Sequence, residues 1–228
     1  MAELLIPESS RRLRNSLEQK LIRIVECGIL PKETYLAGGT AVYLYLRHRL
    51  SMDLDFFTPT PFSSELFLND MRGCFDAVTV ELLGNDTVIF YLGAERLKFS
   101  LFRFPYRLLC QLNEVPIQER VACPLASLDD ISAMKAVAIN QRGSMKDFID
   151  LFFILRETGM NFSSMEKAVR QKYELDEGYD YQLKISLVYF DDAEKEMDQI
   201  VMLKDDRPTK MTVADWERIK AFYMDFVK

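Results

Sequence analysis

Cysteine, histidine and tryptophan are scarce in this 228-residue sequence, which contains 4, 1 and 1 of them respectively. The cysteines stand singly, without a C-x-x-C pair, so the sequence indicates neither a thiolate zinc site nor a redox dithiol. It has no run of about 18 apolar residues, which a membrane-spanning helix needs, and no basic segment followed by an apolar stretch at its start. We therefore expect a cytoplasmic protein with reduced thiols and no membrane partner.

Glycine and proline are also few, 9 and 8 residues, whereas apolar residues make up 49% and charged residues 28% of the chain. This composition is typical of globular proteins and excludes the fibrous and disordered classes. The net charge of -6 disfavours a protein that coats nucleic acid by bulk electrostatic attraction. A local basic site is still compatible with that total.

Hydrophobic periodicity predicts strands in the first part of the chain and helices after it. We expect helices at residues 12–27, 40–49, 63–73, 128–142, 145–158, 163–173, 181–190 and 214–226, and strands at 35–37, 52–57, 78–83, 87–92 and 97–104. Thr40 is the expected N-cap of the second helix, and the S-x-x-D run from Ser144 to Asp147 has the form of a capping box. This order predicts an α+β fold. A mixed β-sheet with flanking helices would occupy residues 1–125, with a mainly helical C-terminal part, residues 126–228, packed on it as one compact unit.

The most specific motif is Gly38-Gly39-Thr40, followed after twelve intervening residues by Asp53-Leu-Asp55. Side chains alternate along a strand, so the two carboxylates project from one face about 7 Å apart. Carboxylates that converge with phosphate oxygens are the usual ligands of Mg²⁺. The glycines allow a ligand to approach the backbone closely, and the start of the following helix favours an anion. The motif therefore predicts a phosphate site beside a metal site.

Five segments of the sequence resemble the AbiEii-type nucleotidyltransferases, the toxin components of type IV toxin-antitoxin systems. They are residues 35–42 (YLAGGTAV), 48–57 (HRLSMDLDFF), 130–138 (DISAMKAVA), 142–151 (RGSMKDFIDL) and 187–194 (LVYFDDAE). The resemblance runs from about residue 36 to the end of the chain. The first four segments are specific to the family, and the fifth is a weaker match.

The resemblance implies a polymerase-β-like nucleotidyltransferase fold, with transfer of a nucleoside monophosphate to an acceptor such as transfer RNA. Relatives are associated with GTP binding or with nucleotide addition to transfer RNA, and a cognate antitoxin is the implied partner. The expected metal ligands for Mg²⁺ are Asp53 and Asp55. The expected nucleotide-binding residues are Gly38, Gly39, Thr40, Ser51, Lys135 and Arg142, and the expected catalytic residues are Asp53, Asp55, Lys135, Asp147 and Asp150.

The chain departs from many nucleotidyltransferases at the strand that often supplies a third carboxylate, because Ser100 stands at that position. Asp147 or Asp150 could supply the general base instead, or the acceptor could lose its proton without a protein base. Two alternative functions stay open, and Ser100 would allow the first of them. One is a module that binds a nucleotide or a partner without catalysis, and the other is a nucleotidyltransferase acting on a small molecule.

Simpler structural roles compete with the functional ones for several charged residues. His48 is predicted to lie at a helix C-terminus, where a cation interacts favourably with the helix dipole. This capping role is favoured over a role in catalysis. Arg49 could pair with Asp53 or Asp55. Lys135 could extend its stem along the surface, Asp147 could be a capping-box acid, and Asp150 could be a surface charge paired one helical turn away.

Residues 103–107 (RFPYR) interleave basic and aromatic side chains. Such a segment can neutralise and stack a single strand of RNA. The favoured interpretation is a strand end that turns at Pro105 and places its aromatic side chains in the core.

Overall fold

The computed structural model describes residues 8–119, 121–205 and 207–228, and the side chains from residue 15 onward within these ranges. Its α-helices are α1 Glu8–Cys27, α2 Gly38–Leu46, α3 Ser64–Cys74, α4 Leu128–Arg142, α5 Met145–Thr158, α6 Phe162–Tyr173, α7 Tyr179–Leu187 and α8 Val213–Phe226, with a 3-10 helix at Ala193–Gln199. Its strands are β1 Tyr35–Ala37, β2 Asp53–Thr58, β3 Val78–Gly84, β4 Thr87–Leu92, β5 Leu97–Arg103, β6 Asn113–Gln118, β7 Val121–Leu125, β8 Val201–Lys204 and β9 Arg207–Lys210.

Seven strands form one sheet in the order β3-β4-β5-β2-β1-β7-β6. The pairs β2–β5 and β1–β7 are parallel and the remaining pairs are antiparallel, so the sheet is mixed. Strand β2 lies near the centre of the sheet, with β1 on one side and β5 on the other. The predicted α+β class with a mixed sheet and flanking helices is confirmed.

Two apolar clusters hold the described residues together. One surrounds the sheet and includes Leu54, Phe56 and Phe99, all fully buried. The other lies between the later helices and contains Trp216 and Phe148 in edge-to-face contact. The predicted division at residues 125 and 126 stays a prediction.

Local sequence determines the turn between α4 and α5, and both helices have their predicted bounds. Gly143 adopts a positive φ of 57°, which ends α4 because glycine enters the left-handed region without steric cost. The predicted capping box at the start of α5 is wrong. The Ser144 hydroxyl donates to Glu196 at 2.6 Å, and the backbone N–H of Met145 donates to the same carboxylate at 3.0 Å. A carboxylate from the 3-10 helix therefore caps α5.

The hairpin of β8 and β9 contradicts the expectation that strands are confined to the first 125 residues. It packs against residues 48–50 of the sheet region. The Leu203 N–H donates to the His48 carbonyl at 2.9 Å, and the Leu50 N–H donates to the Val201 carbonyl at 2.8 Å. The hairpin thus supports the segment that leads into β2.

None of the helices in the described part of the chain has an apolar stretch long enough to cross a bilayer.

Candidate active site

The two predicted metal ligands lie on one face of β2. Asp53 and Asp55 are half-buried, whereas Leu54 and Phe56 between and after them are fully buried on the opposite face. Burial raises the pKa of Asp55, and the neighbouring negative charge of Asp53 raises it further. Two carboxylates that repel one another in a poorly hydrated position favour a cation between them.

The glycine pair lies directly against these carboxylates. Gly38 has a positive φ of 69°, and a Cβ atom there would lie 2.8 Å from Oδ2 of Asp55. A Cβ on Gly39 would lie 2.5 Å from Nη2 of Arg49 and 2.9 Å from Oγ of Ser51. Neither position has room for a side chain, so the backbone itself forms this wall of the site.

Thr40 has a different place from the one predicted. Helix α2 begins at Gly38, with Ala37 as its N-cap, so the predicted cap at Thr40 is wrong. The buried Thr40 hydroxyl is within hydrogen-bond distance of Ser51 Oγ at 3.0 Å and of the Asp53 carbonyl. Through these two contacts the buried Thr40 side chain holds Asp53, at the start of β2, and Ser51, just before it, in position.

A buried ion cluster is formed by His48, Arg49, Lys135, Asp147 and Asp150. It adjoins the metal-ligand candidates, since Lys135 and Asp147 line the same cavities as Asp53 and Asp55. The Asp150 side chain is fully buried. Its Oδ1 lies 2.6 Å from Arg49 Nε and 2.7 Å from His48 Nε2. Its Oδ2 lies 2.8 Å from Arg49 Nη2 and 2.6 Å from Lys135 Nζ. Burial alone would raise the pKa of Asp150, but the charges of Arg49 and Lys135 and the hydrogen bond with His48 hold it well below its ordinary value.

The cluster corrects three of the simpler interpretations. Helix α2 ends at Leu46, and His48 is a buried partner of Asp150 rather than a helix cap. Arg49 pairs with Asp150 and not with the strand aspartates. Asp150 is an interior residue, not a surface charge.

Lys135 is held between two carboxylates and is not an extended surface lysine. Its Nζ lies 2.8 Å from Asp147 Oδ1 and 2.6 Å from Asp150 Oδ2. Burial alone would lower the pKa of Lys135, but Asp150 and Asp147 more than offset this and raise it, so the amine stays charged. Arg142 adds a second cation, with Nε 2.7 Å from Asp147 Oδ2 and Nη2 3.0 Å from its Oδ1.

Two cavities flank this arrangement. The larger has a volume of about 640 Å³ and the smaller about 500 Å³. Both are lined by Asp53, Asp55, Lys135, Arg142 and Asp147. The smaller cavity also has Gly39, Ser51 and Lys146 in its wall, and the larger has the aromatic residues Phe57, Phe102, Phe104, Tyr106, Tyr173 and Tyr179. Thr40, His48 and Asp150 line neither cavity.

The predicted departure at Ser100 has a clear place in the sheet. Ser100 of β5 pairs with Asp55 of β2, and its hydroxyl is a hydrogen-bond partner of that carboxylate. Within the described residues no group of three or more His, Cys, Asp or Glu side chains converges as a metal cage. The protein therefore offers two carboxylates, which suits Mg²⁺ that completes its shell with phosphate oxygens and water.

A mixed sheet that carries paired carboxylates beside a glycine-initiated helix defines a protein of the nucleotidyltransferase fold. JHP933 from Helicobacter pylori aligns with a TM-score of 0.55 at 15% identity, covering 95% of this chain and 92% of that chain. MenT4, a nucleotidyltransferase toxin from Mycobacterium tuberculosis H37Rv, aligns with a TM-score of 0.51 at 15% identity, covering 92% and 84%. These likenesses establish the fold.

The chain belongs to the AbiEii family of nucleotidyltransferase toxins of type IV toxin-antitoxin systems, whose profile matches residues 21–227. An uncharacterized protein from Aquifex aeolicus is 36% identical over 222 residues, which is 96% of this chain and 97% of the relative. The resemblance seen in the sequence is thus confirmed, and membership implies an antitoxin partner.

Sequence reasoning placed neither Tyr173 nor Lys98 at the site, and gave His48 and Arg49 other roles. Lys98 of β5 lines the larger cavity opposite Asp53 in the sheet. Strand alternation could have identified Lys98, which shares a face with Ser100. Tyr173 lies at the end of α6 and reaches the cavity through the packing of α6 on α4, for which the sequence carries no local signal.

Proposed function

We propose that this protein transfers a nucleoside monophosphate from a nucleoside triphosphate to a hydroxyl group of RNA, with transfer RNA as the expected acceptor. Its activity as a toxin would be opposed by an antitoxin. One observation carries the proposal: Asp53 and Asp55 lie at the junction of two cavities, together with the charged groups of Lys135 and Arg142.

Asp53 and Asp55 would hold Mg²⁺. When bound, this ion would neutralise charge on the triphosphate and polarise the phosphorus that is attacked. The donor set fits, because Mg²⁺ is commonly bound by one or two carboxylates and substrate phosphates. The raised pKa of Asp55 agrees with a position that a cation stabilises.

The triphosphate would lie in the smaller cavity. The backbone at Gly39 permits close approach there, and Ser51 supplies a hydroxyl. Arg142 and Lys146 supply positive charge on the same side. Lys135, kept charged by its two carboxylate partners, would face the α-phosphate from below the metal ligands.

The reaction is a substitution at the α-phosphorus. The acceptor oxygen forms a bond to phosphorus while the bond to pyrophosphate breaks, and pyrophosphate carries away the electron pair. Asp147 is a poor proton acceptor, since Lys135 and Arg142 hold its pKa below the ordinary value despite burial. Catalysis would therefore depend on positioning and charge neutralisation, with the acceptor proton passing to solvent.

The test incubates the protein with Mg²⁺, total transfer RNA and each α-labelled nucleoside triphosphate in turn, GTP included. We expect one or more labels to enter RNA with the wild type. The Asp53→Asn/Asp55→Asn variant should incorporate none while melting as a folded protein. Equal incorporation by that variant would show that the metal-site assignment is wrong.

A second candidate is a nucleotide-binding module without catalysis, and the specific observation in its favour is Ser100 at the third acidic position. It predicts that Mg²⁺ with a nucleotide raises the melting temperature while no label enters RNA or any small acceptor. Label that enters a small molecule in the absence of RNA would instead support a small-molecule nucleotidyltransferase.

A further inference from the structure

Three aromatic side chains at one end of the larger cavity form a cluster outside the charged site. The ring centroid of Tyr106 lies 4.8 Å from that of Phe104 and 4.7 Å from that of Tyr173, and the centroids of Phe104 and Tyr173 lie 6.2 Å apart. All three contacts are edge-to-face, at 60° to 87° between the ring planes. Tyr106 is 43% exposed, so part of its side chain is accessible to a ligand. This aromatic cluster contains two residues of the RFPYR segment.

A buried ion pair holds the segment that carries the cluster. Lys172 of α6 and Asp130 of α4 are fully buried, with Nζ 2.7 Å from Oδ1. The Lys172 amine also donates to the Arg107 carbonyl at 3.1 Å. Asp130 accepts from the backbone N–H groups of Leu109 at 2.9 Å and Cys110 at 3.2 Å.

The Lys172 amine also lies 5.5 Å from the centre of the Phe104 ring. Burying two charges carries a large desolvation penalty. Here the pair fixes residues 104–110, a segment without regular structure, in a set position beside the cavity. A rigid segment with a half-exposed tyrosine is preorganised to bind a flat ligand.

The chemistry of phosphoryl transfer decides which substrate lies at this end. The entering and leaving oxygens are roughly in line through the phosphorus. If pyrophosphate leaves toward Gly39 and Ser51 in the smaller cavity, the acceptor hydroxyl must approach from the opposite side. We assign this approach to the larger cavity, which adjoins the smaller one at Asp53 and Asp55.

We propose that the aromatic cluster of Phe104, Tyr106 and Tyr173 stacks the terminal nucleobase of a single-stranded RNA acceptor and places its terminal hydroxyl at the paired carboxylates. The proposal rests on the proposed function. An acidic protein with a net charge of -6 gains little from bulk attraction to RNA, so stacking supplies affinity that charge does not.

The test uses a short single-stranded oligoribonucleotide with 2-aminopurine at its 3′ end, titrated with protein in the absence of nucleoside triphosphate. Stacking quenches this fluorophore. Tyr106→Ala should weaken binding about 5- to 150-fold, the range for loss of one stacked base. Tyr106→Phe should bind as the wild type does, because it keeps the ring.

The matched control is Tyr181→Ala, which removes a 69% exposed tyrosine that lines neither cavity and should leave binding unchanged. If the wild type does not quench the probe, or if Tyr106→Ala binds it as tightly as the wild type, the proposal is overturned. It is also overturned if Tyr106→Ala weakens binding of Mg²⁺ with a nucleoside triphosphate but not of RNA, since the donor base would then occupy the cluster.

This binding assay needs no turnover. A protein that binds the probe through Tyr106 but transfers no label would refute the proposed function and keep the stacking site. If the protein transfers label but Tyr106→Ala changes neither binding nor transfer, the proposed function stands and the stacking site is refuted.

Discussion

Asp150→Asn should destabilise the protein strongly, because Asp150 is the common partner of three positive or proton-donating groups. Its two oxygens contact His48 Nε2, Arg49 Nε and Nη2 and Lys135 Nζ at 2.6 to 2.8 Å. Asparagine keeps the shape of the aspartate side chain but removes its negative charge. Its NH₂ group would also point hydrogen atoms at groups that are themselves hydrogen-bond donors. Removing one partner of a buried ion pair typically costs about 3–5 kcal/mol.

That loss is large relative to the total stability of a protein, which is commonly about 5–15 kcal/mol. For a chain of this length, 1 kcal/mol lowers the melting temperature by about 2–4 °C, so a fall of roughly 6–20 °C is expected. Urea denaturation gives the free energy of unfolding directly, and calorimetry gives the melting temperature.

Asp225→Asn is the matched control. Its side chain is 82% exposed and pairs only with Lys228 among the described residues, so a change within about 0.5 kcal/mol is expected. A loss of less than about 1 kcal/mol for Asp150→Asn would refute the claim that the ion cluster stabilises the fold.

The pH dependence gives an independent check of the same reasoning. The folded-state pKa of Asp150 is well below its ordinary value, so the carboxylate contributes stability above the unfolded pKa of about 3.9. That contribution is lost as the pH falls through the folded pKa. The stability difference between wild type and Asp150→Asn should therefore be full at pH 7 and narrow below about pH 4.

Three further predictions concern glycine packing, the second ion pair and the central lysine. Gly39→Ala should cost about 1–3 kcal/mol in urea denaturation because its Cβ meets a fixed guanidinium, whereas Gly73→Ala, with open space around it, should cost nothing. Lys172→Met should cost about 3–5 kcal/mol, and the exposed Lys195→Met less than about 0.5 kcal/mol. Lys135→Met should also cost about 3–5 kcal/mol, because it leaves Asp147 and Asp150 without their shared lysine. Assayed at a temperature where the variant is folded, it should lower kcat/KM for label transfer about 10²- to 10³-fold, and unchanged kinetics would contradict its role.

Local signals in the sequence were enough to predict most of the regular structure. Helices α4 and α5 have their predicted bounds because Gly143 ends α4 in the left-handed conformation, which glycine adopts without contacts from distant residues. The paired carboxylates were predictable for the same reason, since alternation along β2 is a local property. The hairpin of β8 and β9 was missed because its strands have only four residues each, β9 is polar, and both are defined by their contact with residues 48–50.

The ion cluster could not be predicted from periodicity. Gly143 separates the helical phase of Lys135 from that of Asp150, so the 2.6 Å contact between them depends on how α4 packs on α5. His48 and Asp150 are 102 positions apart in the chain. The sequence alone predicts such residues to be helix caps or surface charges, whereas the fold buries them. A buried charge is stable only with partners inside the fold.

The order in which the residues of the site are synthesised determines when the site can form. Asp53 and Asp55 are synthesised before Lys135 and Asp150, and the hairpin of β8 and β9 follows all four. A nascent chain therefore holds the carboxylates without the counter-charges that complete the site. A chain that stops before Asp150 lacks the residue that contacts His48, Arg49 and Lys135, so we expect the site to form only after Asp150 has been added.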